Sequence, residues 1–281
     1  MWFIYLALVA AALYAAVVAG MYFAQTWLLF PTTFMAGQVT LPTSAQRLEL
    51  KAPSGDLLVG VHIPASNDIG QPRPLLLGFG GNAWDADAMA VYLHGLVPGC
   101  DIVAFHYRGY RPSTGRPSAE ALLADAPIVF DYLQHVLAPD RVIAVGFSIG
   151  AGVAAYLARH RPVAGLILVT PFDSLEALAR DLYWWAPVGL LLRHRMSIID
   201  FVRGSPTPTA LIVANQDTVV PARRSAPLHA AIPNLVLDRT IEAGHNDLYD
   251  QPIFAHALQE ALARIAASHS ETRPAGPSPT R

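Results

Sequence analysis

The apolar positions of this chain fall into two regimes. From Met1 to Phe30 they run almost continuously, interrupted by Tyr5, Tyr14, Tyr22, Gln25 and Thr26, and no charged side chain occurs before Arg47. About 20 apolar residues suffice to carry a helix across a bilayer. Trp2, Phe3 and Tyr5 lie at one end of the run, and Tyr22, Phe23 and Trp27 near the other, where aromatic belts meet the two interfaces. Pro31 then stops the helix. The pattern predicts a transmembrane anchor over 1–30 and a turn-rich linker over 31–46. A cleaved signal peptide fits less well, because the run is long and has neither a positively charged leader nor a small-x-small site after it.

Beyond the linker the period changes. Arg47–Lys51 and Leu57–Ile63 alternate around Pro53-Ser54-Gly55-Asp56, which reads as a hairpin. Short, nearly continuous apolar runs follow at Leu75–Phe79, Ile102–Phe105, Val142–Val145, Leu166–Val169, Leu211–Val213 and Leu235–Leu237. Such runs suit strands buried on both faces of a parallel sheet. Amphipathic stretches lie between and after them: Trp84–Leu96, Ser118–Val136, Gly150–Arg159, Leu175–Trp185, Pro221–Ala231 and Ile253–Ala267. Strand and helix in alternation predict one α/β domain over 47–267 with a mainly parallel sheet flanked by helices. The stretch 173–205 exceeds what one crossover helix needs. Its Tyr183-Trp184-Trp185 and Val188–Leu192 segments suit ordinary helix packing, a cap over a site, or a surface that dips into lipid. The Pro-, Ser- and Thr-rich tail, 268–281, reads as disordered.

Composition narrows the field. With 281 residues, 53% hydrophobic and 14% charged, the chain can fill one sizeable core. A net charge of -2 leaves no basic field for nucleic acid. The single cysteine, Cys100, excludes an intramolecular disulfide. Neither flank of the apolar run carries Lys or Arg. The N-terminal amine alone then favours an N-in, single-pass arrangement with the domain on the non-cytoplasmic side.

One constellation carries chemistry. Gly146-Phe147-Ser148-Ile149-Gly150 is a G-x-S-x-G sequence between a predicted strand and a predicted helix. A sharp turn there would hold the serine hydroxyl above the sheet, and a side chain at either glycine would crowd it. A serine hydroxyl needs a base to take its proton, and an acid to orient that base. Asp217 follows the predicted strand near Ala214, and His245 follows the one near Arg239. The order Ser148, Asp217, His245 places all three past strand ends, where catalytic groups of such sheets collect. Asp173 is the rival acid, read instead as a cap for the helix at Leu175, and Asp247 is read as a cap for the last helix. An oxyanion needs two donors. The backbone N–H of Ile149 and that of Phe79, in Gly78-Phe79-Gly80-Gly81-Asn82, are the candidates. His94, His106, His135, His160 and His194 lack metal-ligand spacing.

These segments carry a family resemblance. The chain resembles the membrane-anchored branch of the α/β-hydrolase superfamily, which includes lysophospholipases, protein depalmitoylating thioesterases and bacterial relatives. The segments are Gly78–Asn82, Tyr107-Arg108-Gly109-Tyr110 with Ser113, Gly115, Pro117-Ser118 and Asp125, Gly146–Gly150, and Gly244-His245-Asn246-Asp247. Two positions depart from that group: Leu77 stands where it usually has histidine, and Phe79 where it often has asparagine. The resemblance implies an α/β-hydrolase fold. It also implies two-step hydrolysis of a carboxylic ester or thioester at Ser148, with no metal or organic cofactor. An acyl lipid, an acylated protein and a small ester all remain open as substrates. A serine peptidase of the same fold and a non-catalytic membrane scaffold are the alternatives. Tyr107 and Arg108 either shape the entrance or bind an acidic group there, or pin their own loop.

Overall fold

A computed structural model of the chain describes residues 1–32, 39–66 and 74–271. The apolar run forms one helix, α1 (Trp2–Leu29). Then come β1 (Gln46–Lys51), β2 (Leu57–Ile63), β3 (Pro74–Phe79), α2 (Ala86–Leu96), β4 (Asp101–Phe105), α3 (Ala119–Val136), β5 (Arg141–Phe147), α4 (Ile149–His160) and β6 (Gly165–Val169). The chain continues through α5 (Leu175–Leu182), α6 (Val188–Leu191), α7 (Ile198–Val202), β7 (Thr209–Ala214), α8 (Ala222–Ala231), β8 (Leu235–Ile241) and α9 (Pro252–Glu271). A single 3-10 turn, Asp247–Asp250, precedes α9.

The strands form one sheet in the order β1-β2-β4-β3-β5-β6-β7-β8. The hairpin at 53–56 pairs β1 with β2 antiparallel, β2 meets β4 antiparallel, and every later pair is parallel. The continuous apolar runs are explained by burial on both sides. Leu75, Leu77, Ala144, Leu166 and Leu168 face one core layer, under residues of α3 and α4. Their neighbours Leu76, Ile143, Val145 and Ile167 face the other, under α2 and α9. Sequence order reverses between β3 and β5. Such a switch point leaves a crevice at the carboxyl ends of the strands, where ligands bind in open α/β sheets.

Caps set the helix starts. Ser118 accepts from the Ala121 N–H at 3.0 Å and opens α3, Asp85 does the same for α2 through Ala88, and Ser174 opens α5 through Ala177. The expected cap at Asp173 is thereby corrected by one residue, because the Ser174 hydroxyl reaches the third helical N–H. Asp247 likewise starts the 3-10 turn rather than capping α9. Helix α9 runs through Glu271, past the expected domain end at 267. Most of the tail lies outside the described residues, as do 33–38 of the linker.

The segment 173–205 divides in two. Met196, Ile198 and Val202 are buried against α4, so the second half is ordinary core packing. The first half projects, leaving Leu182, Tyr183, Trp184, Trp185 and Leu190 exposed. Helix α1 is long and apolar enough to cross a membrane, and from Tyr14 onward it touches this projection. The Tyr14 hydroxyl donates to the Trp185 carbonyl at 2.9 Å. Gln25 donates to the Leu191 carbonyl at 3.2 Å and accepts from the Arg193 N–H at 2.8 Å. Thr26 Oγ1 and His194 Nε2 are 2.8 Å apart, and Phe30 is buried in the domain core.

Candidate active site

Strand β5 ends at Phe147 and α4 starts at Ile149, which leaves Ser148 alone in the turn. Its φ of 52° and ψ of -116° lie where a non-glycine residue is strained, a conformation that costs on the order of 1–3 kcal/mol. The surroundings enforce it. A Cβ on Gly146 would stand 2.3 Å from the Gly150 carbonyl oxygen, and one on Gly150 would stand 2.1 Å from that of Phe79. Both positions therefore admit hydrogen only. The Ser148 N–H is held by the Val169 carbonyl at 2.9 Å, which fixes the turn to β6.

Asp217 and His245 meet because β7 and β8 are neighbours. The paired ends Ala214 and Ile241 launch the two loops side by side, and the Asn215 and Gln216 N–H groups bond Ile241 and Ala243 across them at 3.0 Å each. His245 Nδ1 lies 2.6 Å from Asp217 Oδ2. The other oxygen, Oδ1, accepts from the Val219 and Val220 N–H groups at 2.8 and 2.7 Å. The Asp217 side chain is 1% exposed, so this carboxylate leaves water only by being fully hydrogen-bonded. An Asp that holds Nδ1–H directs the other ring nitrogen, Nε2, outward as an acceptor. The Ser148 hydroxyl, half-buried, makes no hydrogen bond to His245 among the described residues. Such bonds are often long in a free site and tighten around substrate.

The donors divide. Ile149 is the first residue of α4, so its N–H has no intrahelical acceptor. It sits beside Ser148 at the positive end of a helix. Phe79, the other expected donor, lies at the end of a strand. It is the last residue of β3, in register with Gly146, and belongs to the sheet. The loop beside the nucleophile is two residues further on, where a Cβ on Gly81 would lie 3.9 Å from Ser148 Cβ. The apolar run Leu75–Phe79 is strand to its last residue, and the turn begins at Gly80. Tyr107 pins this turn by donating to the Gly80 carbonyl at 2.8 Å. An aromatic cluster beneath clamps the pieces together. The Trp84, Phe147 and Tyr249 rings lie 5.0–5.7 Å apart and link the glycine loop, the elbow and the His245 loop.

Residues 75–190 match the family of the alpha/beta hydrolase fold. An uncharacterised protein of Mycobacterium tuberculosis strain H37Rv is 34% identical over 225 residues, covering 77% of this chain and 79% of that one. The chain belongs to the α/β-hydrolase family. Among its relatives, the mouse alpha/beta hydrolase domain-containing protein 17C is 29% identical over 185 residues, covering 63% of this hydrolase and 55% of the relative. The solved structure of the esterase Pf2001 from Pyrococcus furiosus has the same fold, with a TM-score of 0.64 at 18% identity over 83% of this hydrolase and 97% of the esterase.

Other polar groups of the hydrolase are accounted for by structure. Arg108 is spent on Asp125, Asp56 and Ser54, so it pins its loop rather than facing a substrate anion. Asp173, the rival acid, pairs with Arg224 at 3.1 Å and accepts from the Ser174 N–H. Burial, and then the neighbouring Asp101 carboxylate, push the Cys100 thiol up to about 11, which leaves it protonated and unreactive. The one cluster with metal-ligand proximity among the described residues is Asp85, Asp87 and His106. There the His106 ring nitrogens address Asp85 and Asp87 separately, at 3.7 and 3.4 Å, and Arg47 supplies a cation to both oxygens of Asp87. That arrangement is a charge network. The glycine loop's offset and the aromatic clamp were missed by sequence reasoning. The signal for the first was the glycine pair Gly80-Gly81, followed by Asn82.

Proposed function

We propose that this protein is a membrane-anchored serine hydrolase that cleaves a carboxylic ester or thioester through an acyl-enzyme. The observation that carries the reading is the buried Asp217–His245 bond, formed beside an elbow that holds Ser148 strained at φ 52°. His245 Nε2 takes the Ser148 proton as Oγ attacks the acyl carbon, and Asp217 stabilises the imidazolium that results. The Ile149 N–H and a second N–H from the Gly81-Asn82 turn receive the oxyanion, each worth roughly 10²–10³ in rate. The imidazolium returns its proton to the leaving alcohol or thiol, and a water activated by the same histidine then releases the acid. Helix α1 serves as the anchor, with the domain on the non-cytoplasmic side.

The test is labelling with a fluorophosphonate probe in membranes. Native protein should label, and Ser148→Ala should not. Well-folded native protein that resists the probe would remove the reading. A topology reporter fused after Arg281 decides the side, and cytoplasmic activity of that reporter reverses the assignment.

A further inference from the structure

Helix α1 does more than tether, if its length is set against where the domain touches it. Its 28 residues make about 42 Å of helix at ~1.5 Å per residue. The hydrocarbon core of a bilayer is about 30 Å thick and takes about 20 residues. The stretch ahead of the first domain contact, Trp2 to Leu13, supplies only about 18 Å at ~1.5 Å per residue. A spanning α1 must therefore use residues to about Met21, and the apolar layer must reach past the level of the Tyr14–Trp185 contact. Next to that contact the domain presents Trp184, 82% exposed, and the same outer surface carries Leu190, 87% exposed, with Leu182 and Tyr183 exposed nearby in the chain. Such a patch is unfavourable in water and suited to lipid.

Between this lip and the anchor runs an apolar groove. Val18, Met21 and Leu28 form one wall, and Tyr183, Val188 and Leu191 the other. The groove shares Ala186 and Val188 with the outer surface that carries Trp184 and Leu190. The inner end reaches Leu29, whose carbonyl accepts from the Asn82 side chain at 3.3 Å. Asn82 adjoins Gly81, the residue beside Ser148. Near the outer limit of the hydrocarbon, Arg193 lies 5.1 Å over the Tyr22 ring and donates to Thr26. It has no carboxylate partner among the described residues, as suits a cation at the level of lipid phosphates.

We infer that residues 182–191 are embedded in the bilayer beside α1, and that the groove between them admits the acyl chain of a bilayer lipid sideways from the leaflet toward Ser148. The occupant is an acyl chain, because the walls are apolar and continuous with the spanning helix, while the unpaired charge sits at headgroup depth. This inference rests on the hydrolase reading above.

The full chain in phosphatidylcholine vesicles provides the test, with p-nitrophenyl palmitate and p-nitrophenyl acetate as the two substrates. Ala179→Trp, which fills the groove from α5, should lower the palmitate-to-acetate rate ratio about ten-fold or more. Val18→Trp fills it from the lipid-facing helix, where bulk is tolerated, and should do the same if the first variant fails to fold. A ratio within about two-fold of native in the folded variants overturns the groove while leaving the hydrolase reading standing. Leu190→Cys carrying a nitrobenzoxadiazole label should be quenched by doxyl-labelled lipid; an unquenched, water-like emission overturns the embedded lip. Native protein that cleaves neither ester and takes no fluorophosphonate removes the parent reading instead, and the quenching arm still reads the lip.

Discussion

At the scale of single residues, the elbow is decided by the absence of side chains. Gly150 and Gly81 both border the site, yet the structure treats them oppositely. A methyl on Gly150 would meet the Phe79 carbonyl oxygen at 2.1 Å and that of Gly80 at 2.5 Å. Backbone must then move, and overpacking of this kind typically costs about 1–3 kcal/mol. A methyl on Gly81 finds nothing nearer than Ser148 Cβ at 3.9 Å. Gly150→Ala should therefore lower the unfolding midpoint and abolish probe labelling. Gly81→Ala should keep the midpoint within about 0.5 kcal/mol of native, as a substitution that disturbs no packing does, and slow labelling by crowding the acyl carbon. Thermal unfolding and labelling rate, read together, separate the two. Asp217→Asn should leave the fold intact and reduce kcat by about 10⁴, since the amide presents its N–H to His245 Nδ1 and imposes the wrong tautomer. The positions of Ser148, Asp217 and His245 past the ends of β5, β7 and β8 were legible in the sequence, because spacing past apolar runs locates strand ends. The placement of the glycine turn beside Ser148 was less so, because it depends on how far β3 pairs with β5, whose Gly146 lies 67 residues downstream of Phe79.

At the scale of elements, the strand order depends on contacts that local pattern does not reveal. The central strands β3 to β7 were legible from their apolar runs, since burial on both faces leaves nothing else for such runs to do, and β1 and β2 from their alternation. Helix ends were less so: Trp184 and Trp185 read as a continuation of α5, but that helix ends at Leu182 and the tryptophans face outward. Arg108 shows how a motif can be conspicuous and still misleading about its role. It follows β4, reaches Asp56 and Ser54 in the β1–β2 turn, and grips Asp125 on α3, so three elements meet on one guanidinium. Burial pushes the Asp125 carboxyl up, against the pull of Arg108, so this carboxylate depends on its partner to stay charged. Removing one member of a largely buried pair typically costs about 3–5 kcal/mol. Arg108→Ala should lose stability of that order in denaturant unfolding. A variant that unfolded at the native midpoint would show that water replaces the guanidinium at no loss.

At the scale of the whole molecule, helix α1 and the domain form one body, which hydropathy alone does not reveal. A run of apolar residues reads as a free span; Gln25 and Thr26, two of its interruptions, turn out to bond Leu191, Arg193 and His194. That junction makes stability sensitive to acid. Burial, and then the Arg193 charge, hold His194 below its ordinary value of 6.5, and burial does the same to His62 in β2 against a smaller pull from Asp101. Unfolded, both rings take up a proton near 6.5; folded, they do so only at lower pH. Between those values the unfolded state holds more protons, so stability rises with pH there, and above 6.5 the effect vanishes because both states are neutral. Lowering the pH from 7.5 to 5.5 should therefore depress the unfolding midpoint of the full chain. For a domain of this size each kcal/mol reads as roughly 2–4 °C. His194→Gln retains a partner for Thr26 without a titrating group, and His62→Met fills a similar volume. Each should flatten part of the acid slope, and His194→Gln should also keep α1 docked at pH 5.5, which cross-linking between Tyr14→Cys and Ala186→Cys can read. An unchanged slope in both variants would assign the acid sensitivity to other groups and leave the junction indifferent to pH.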